Sequence, residues 1–281
     1  MTLAVPFFTN AELWEYLGLH LALALLISAA GFIRVYYFVS LGYAFSIAAM
    51  AVVTPWLLWG GADAWTLLQC AALLAYGLRL GAFLIHRERR PAFKKEMADA
   101  VDRGKRVRGF VKLAIWVSVS VLYVLMFSPA LLALLARRTS PGAGPLASQF
   151  PGLALMAAGL LLEAWSDHQK SAFKTCQPGR FCDTGLYRLV RCPNYLGEAV
   201  FWAGAWVAGI SAYVHWAHWA MSLAGFVCIV LVMLGSTRRL ELKQDERYGS
   251  DPEYQDYTRS VPVLFPFIRV YSFRNLKVRL G

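Results

Sequence analysis

Apolar runs of roughly twenty residues recur along this chain, separated by short polar stretches, and none alternates in the manner of a strand. A run of that length is what an α-helix needs to cross the hydrocarbon core, where every backbone N–H and C=O must be satisfied within the segment. The pattern predicts an all-α polytopic helix bundle with about seven membrane spans, near 11–33, 37–59, 64–86, 111–135, 150–166, 195–211 and 216–236. The fifth and sixth runs are short for a crossing, which leaves open a tilt, a continuation into polar helix ends, or six spans with a re-entrant segment. Composition agrees, because 58% hydrophobic residues, 16% charged residues and a mean hydropathy of +0.47 do not fit a soluble globule. A single integral-membrane domain over residues 1–281 is expected.

The net charge of +11 is concentrated in a few connections. Arg87, Arg89, Arg90, Lys94, Lys95, Arg103, Lys105, Arg106 and Arg108 crowd the link between the third and fourth runs. Lys170, Lys174, Arg180, Arg188 and Arg191 fill the link between the fifth and sixth, and Arg238, Arg239, Lys243 and Arg247 lie in the tail. With seven spans all three fall on one face, so the positive-inside rule predicts a cytoplasmic C-terminus and an outer N-terminus. The other face keeps Glu12, Glu15, Asp63 and the Arg137–Arg138 pair. The N-terminus has neither a basic n-region nor an A-x-A-like cleavage site, so the first span is expected to stay. The connector "TSPGAGPLASQFPG" reads as a plain loop, "RERRPAFKKEMADAVDRGKRVRG" as a short helix at headgroup level, and the C-terminal segment as a tail folded back onto the membrane face.

Five cysteines, an odd number divided between spans and the cytoplasmic side, imply no disulfide framework. Cys176, Cys182 and His168 match no standard zinc-ligand spacing, so no metal is expected. The basic residues are tied to membrane boundaries and no base-reading module is present, which argues against nucleic acid as a partner.

Ionisable groups at membrane depth are expensive and therefore informative. Tyr76 and Arg79 are one turn apart on the third span, with Arg87 beyond; Glu163 and Asp167 share a face of the fifth; Asn194 and Glu198 share a face in the first turns of the sixth, after Pro193. Taken singly, the arginines are also explained by snorkelling, Asp167 by capping, and Glu198 by the helix dipole. Taken together, arginines and carboxylates at one end of a bundle describe a basic cavity suited to a polyanion.

The stretch "GLYRLVRCPNYLGE" (185–198), followed by an apolar helix and "YGSDPEYQDYTRSVPVLFPF", resembles the C-terminal half of the steroid 5α-reductase family, bacterial branch. "EAWSDHQKSAFK" is similar to that family's Asp-containing helix end, and "AYGLRLGAFLIHRERRP" to its Tyr-x-x-Arg segment, so the likeness covers roughly residues 76–267. Cys192 stands where the bacterial branch often has histidine. The same skeleton occurs in isoprenylcysteine carboxyl methyltransferases and phospholipid N-methyltransferases, so a methyltransferase using S-adenosylmethionine on a lipid or prenylated thiol is the alternative. Arginine forks suit the phosphates of NADPH better than a sulfonium.

The resemblance implies an enzyme: an NADPH-dependent reductase that saturates the C=C bond of a lipidic enone, foremost a 3-oxo-Δ4-steroid, in a bacterial inner membrane or endoplasmic reticulum. It implies Tyr76 as the acid that polarises the enone oxygen. Arg79, Arg87, Arg89 and Arg191 would contact phosphates, and Asp167, Asn194 and Glu198 the amide, ribose or adenine edges; Arg188, Tyr187, Tyr254 and Tyr257 complete the cofactor set. Animal members grip the substrate ketone with a Gln-Glu pair on the second span, whereas "LGYAFSIAAM" here offers only Tyr43 as a hydroxyl of comparable reach. A steroid-like substrate, membrane lipid and a monomeric state are the expected partners and assembly.

Overall fold

The computed structural model describes residues 11–139 and 147–275, and these are helical without strands. The helices are α1 (Ala11–Ser28), α2 (Leu41–Leu57), α3 (Ala64–Arg89), α4 (Pro91–Lys105), α5 (Gly109–Thr139), α6 (Gln149–Cys176), α7 (Pro193–Gly209), α8 (Trp216–Tyr248) and α9 (Pro252–Ser260). Among the described residues five helical stretches are long and apolar enough to cross a membrane: Ala11–Phe32, Val35–Leu57, Ala64–Arg89, Gly109–Thr139 and Trp216–Tyr248. They correspond to the first four runs and the last, as an integral membrane protein requires. The fifth and sixth runs became α6, whose apolar stretch is interrupted by Glu163, and α7, which has only 17 residues. The short helix anticipated in the basic connection is α4. Half of the Pro/Gly-rich connector, residues 140–146, and the N-terminal residues 1–10 lie outside the described residues, and the connector's last four residues, read as loop, open α6 instead.

The chain forms two compact units, Met1–Leu153 with Ala205–Phe226, and Ala154–Gly204 with Val227–Gly281. In the first, α2 and α3 form an antiparallel hairpin flanked by α1 and α5. Asp63 starts α3 through a capping box: its carboxylate accepts from Thr66 N at 2.8 Å while Thr66 Oγ1 accepts from Asp63 N at 3.0 Å. The same carboxylate meets Arg137, near the end of α5, at 2.8 Å, and Arg138 reaches Glu12 of α1 at 2.5 Å. The arginine pair that the sequence left on one face is thus bonded to two of the acids assigned there, Asp63 and Glu12. Arg137 is almost wholly buried, and a buried charge needs such a partner.

Hairpin closeness comes from small residues. A Cβ placed on Gly77 would lie 2.5 Å from the carbonyl oxygen of Ala44 and 2.9 Å from the Ala48 side chain, so the α2 and α3 backbones approach as far as glycine permits.

The second unit uses the same device. A Cβ on Gly159 of α6 would lie 2.4 Å from Phe201 N, and one on Gly197 of α7 would lie 2.7 Å from Glu163 N. The pairing of Gly159 with Phe201 and of Glu163 with Gly197 makes this part of α6 and α7 antiparallel. Phe181, Tyr248 and Tyr254 form an aromatic cluster with Tyr257 against it. After α9 the tail returns along the loop before α7, with Arg191 N donating to Pro262 O (2.9 Å), Cys192 N to Val263 O (3.0 Å) and Val263 N to Val270 O (2.9 Å). The tail thus folds back onto the loop before α7 by backbone pairing.

Gly77→Ala forces one methyl group against the α2 backbone and is expected to lower stability by about 1–3 kcal/mol. Gly60→Ala, whose new methyl meets nothing within 4 Å, is the comparison that should stay near the parent in thermal unfolding of detergent-purified protein.

Candidate functional site

In the first unit the α2–α3 crossing brings two phenols together. The hydroxyls of Tyr43 and Tyr76 are hydrogen-bonded at 2.8 Å, and both side chains are buried. Tyr123 of α5 stacks on Tyr43 with ring centroids 5.5 Å apart, and its own hydroxyl donates to Phe38 O at 2.5 Å. Tyr123 therefore has its proton committed, while the Tyr43–Tyr76 pair shares one hydrogen bond between two hydroxyls. One phenol donates to the other, and either hydroxyl can be the donor.

Arg79 lies one turn along α3 from Tyr76 and is half-buried. Arg87 lies about two turns further and is held over the Phe83 and Phe93 rings, 5.8 and 4.5 Å from their centroids. Arg89 is exposed at the helix end. One helix thus orders a buried phenol, a half-buried guanidinium and a surface guanidinium along its length.

In the second unit, extending the α6–α7 pairing sets Asp167 at the level of the first residues of α7, where Asn194 sits, and Glu163 at the level of Gly197 and Glu198. Glu163 and Glu198 are buried and Asp167 and Asn194 half-buried. Asn194 Oδ1 is enclosed without a hydrogen-bond partner. The four polar groups picked out on two separate runs are therefore at neighbouring levels of one helix pair.

The loop before α7 is shaped by one glycine and several buried side chains. Gly185 has φ of +59°, and a Cβ there would strike the Gln169 side chain at 2.6 Å, the same amide whose Oε1 accepts from Leu186 N at 3.0 Å. The hydroxyls of the motif tyrosines are engaged inside the unit: Tyr187 donates to Ser166 O (3.3 Å), Tyr257 to Tyr187 O (2.7 Å) and Tyr254 to an Asp245 carboxylate oxygen (2.9 Å). Burial raises the pKa of all three above the ordinary phenol value, with Asp167 adding to the rise at Tyr187, so they remain neutral donors over the physiological range. Arg188 is exposed. Arg191 is buried instead, its guanidinium 3.0 Å from Glu241 and also donating to Tyr271 O. Any phosphate at Arg191 would have to compete with Glu241. Among the described residues no group of three or more His, Cys, Asp or Glu is placed to hold a metal ion.

Residues 29–261 match the family described as a protein family of unknown function, DUF1295. The chain belongs to the DUF1295 family. No curated protein and no solved structure matches it.

The DUF1295 region contains both phenols, the α3 arginines and the whole α6–α7 polar set, but ends at Val261, before the tail residues that close on Arg191. Sequence reasoning missed Glu241 and Asp245 because they sit in a charged run at the end of α8 that reads as solvated surface. Glu241 accepts from Arg191 and from Phe273 N (2.8 Å), and Asp245 accepts from Tyr254 and Arg274. A carboxylate every fourth residue on one helix face was the available signal.

Glu241→Leu leaves Arg191 buried without its counter-charge and is expected to destabilise the DUF1295 chain by about 3–5 kcal/mol. Trypsin should then cut faster at Arg269 and Arg274 in the released tail. The double variant Arg191→Leu/Glu241→Leu should recover most of the loss in thermal unfolding.

Proposed function

We propose that this protein is an NADPH-dependent membrane reductase that saturates the C=C bond of a lipidic enone, with 3-oxo-Δ4-steroids the leading substrate class. The observation that carries this reading is the buried Tyr43–Tyr76 hydrogen bond, with Arg79 one turn and Arg87 three turns along the same helix. A buried phenol pair answers the need for a neutral acid beside an enone oxygen, and it stands where no Gln-Glu pair is available on α2.

NADPH, when bound, supplies a hydride to the enone β-carbon and leaves as NADP+. Donor chemistry fits that cofactor in part: Arg79 and Arg87 are half-buried forks suited to phosphate, whereas Arg191 is already held by Glu241. Tyr76 donates to the enone oxygen as negative charge grows there, and Tyr43, hydrogen-bonded to it, stabilises the charge left on Tyr76. A solvent proton then adds to the α-carbon as the enol O–H returns its proton to Tyr76, so one hydride and one net proton are added across the bond. Burial of both phenols excludes water from competing for the oxygen.

In this reading α6 and α7 complete seven crossings, with the N-terminus outside and α4, the loop before α7 and the C-terminus on the cytoplasmic side. The source membrane is a bacterial inner membrane or endoplasmic reticulum, and the protein works as a monomer.

The deciding experiment compares thermal stabilisation of the purified protein by NADPH, NADH and S-adenosylmethionine. NADPH alone should stabilise strongly; stabilisation by S-adenosylmethionine without NADPH would replace the reductase by a methyltransferase. Tyr76→Phe should lower turnover by about a hundredfold or more with NADPH affinity nearly unchanged, and Tyr43→Phe by less, because it removes the second phenol only. Arg79→Ala should weaken NADPH binding by a few kcal/mol. A Tyr76→Phe variant of normal turnover would remove the phenol from the mechanism.

Orientation is read by thiol labelling in sealed vesicles. Cys176 is exposed, whereas burial pushes the Cys192 thiol up to about 11, so at pH 8 Cys192 stays protonated and inert. Maleimide that cannot cross the membrane should reach Cys176 only from the cytoplasmic face.

A further inference from the structure

A cleft of about 260 Å³ lies in the first unit, between α4 and the short turn Val35–Tyr37 that leads into α2. One membrane-crossing stretch begins at Val35 and another ends at Arg89, so the cleft sits at the level of the lipid head groups. One wall is the apolar stripe of α4: Phe93, Met97 and Val101, spaced by four residues and therefore on one helix face. The end of that helix is seated on the turn, since a Cβ on Gly104 would lie 3.4 Å from the Val35 side chain. Its start is tied to α3 through Phe93, whose ring centroid is 4.5 Å from the Arg87 guanidinium. The stripe is thus anchored at both ends, and the space along it is the cleft.

The other wall carries charge of both signs. Arg34 Nη1 donates to the Tyr36 hydroxyl at 3.0 Å and lies 3.6 Å from Glu88 Oε2, which also accepts from the Tyr37 hydroxyl at 2.5 Å. Both contacts of Glu88 are to Oε2, which leaves Oε1 for a further donor, and the guanidinium keeps N–H groups beyond the one given to Tyr36. Asp102, on the rim beside Val101, accepts from Lys105 at 2.8 Å between two exposed side chains, a contact that a ligand displaces at little cost.

Two carboxylates and one guanidinium line this cleft, in the most basic connection of the chain. Topology and anionic lipid account for the surrounding lysines and arginines but not for that sign. A purely anionic head group would meet Arg34 and be repelled by Glu88 and Asp102. The volume of about 260 Å³ is also smaller than the roughly 300–1,000 Å³ of sites for drug-sized molecules, so a dinucleotide does not fit. A short head group with a phosphate and a cation, on an apolar tail, does.

We propose that this cleft binds the head group of an ethanolamine phospholipid, with its ammonium on Glu88 and Asp102, its phosphate on Arg34 and its acyl chains entering along the α4 stripe. The primary ammonium is preferred to choline because it has N–H groups to give to two carboxylates. The site uses neither the phenol pair nor a cofactor, so it stands or falls apart from the reductase reading.

The test is a lipid titration of the delipidated full chain in detergent, with phosphatidylethanolamine, phosphatidylcholine and phosphatidylglycerol of identical acyl chains, bound lipid being counted by native mass spectrometry. The first lipid bound should be the ethanolamine form, by at least about fivefold over each of the others. Glu88→Gln should bring the ethanolamine and choline lipids to within about twofold. Asp102→Asn, at an exposed position that does not endanger folding, should shift the ratio the same way. Arg106→Gln, outside the cleft, should weaken phosphatidylglycerol binding and leave the ethanolamine preference unchanged. Equal binding of ethanolamine and choline lipids by the parent, a parent that favours phosphatidylglycerol, or an ethanolamine preference that survives Asp102→Asn and Glu88→Gln overturns the proposal.

Discussion

Lipid gives apolar helices no hydrophobic reason to prefer one another to acyl chains, so close backbone contact must hold them. Glycine provides that contact in both units. Gly77 lets α3 lie against the Ala44 and Ala48 region of α2, and Gly159 with Gly197 does the same for α6 and α7. The polar contacts of each unit follow from that geometry. Two phenols on facing helices meet at 2.8 Å only because their backbones are near, and the levels of Asp167, Asn194, Glu163 and Glu198 are set by where the α6 and α7 glycines cross.

Charge is managed locally rather than by dilution into solvent. Arg137 ends on Asp63 and Arg191 on Glu241, each guanidinium almost fully enclosed. Such pairs add little net stability over apolar residues of the same shape, but they punish any arrangement that separates them. The pairs therefore specify which helix ends belong together. Asp63 does so while also capping α3, so one carboxylate fixes both where a helix begins and what it stands beside.

Hydropathy alone located α1, α2, α3, α5 and α8, because a long unbroken apolar run has few alternatives to a membrane helix. It was less decisive for α6 and α7, where Glu163 and a length of 17 residues shorten the apolar stretch. Periodicity set Tyr76 beside Arg79 and the resemblance pointed to Tyr43, but their hydrogen bond depends on the register of α2 against α3, which is set by Gly77, a residue with no chemistry of its own. The partner of Arg191 was illegible for a different reason: Glu241 is fifty residues downstream, in a charged segment that looks like surface. The motif tyrosines were found by resemblance as cofactor groups, while the structure shows their hydroxyls bracing the loop on Ser166, Tyr187 and Asp245.

The closure of the tail over Arg191 also imposes an order on biogenesis. Arg191 is synthesised well before Glu241, and the Tyr271 carbonyl and Phe273 amide that complete the cluster come later still. While the ribosome is still making α8, this guanidinium has none of its final partners and must remain hydrated or bound to lipid phosphate. The second unit therefore reaches its finished state only after the segment through Phe273 has been translated, and a nascent chain released short of Glu241 carries an unsheltered cation at the entrance to α7.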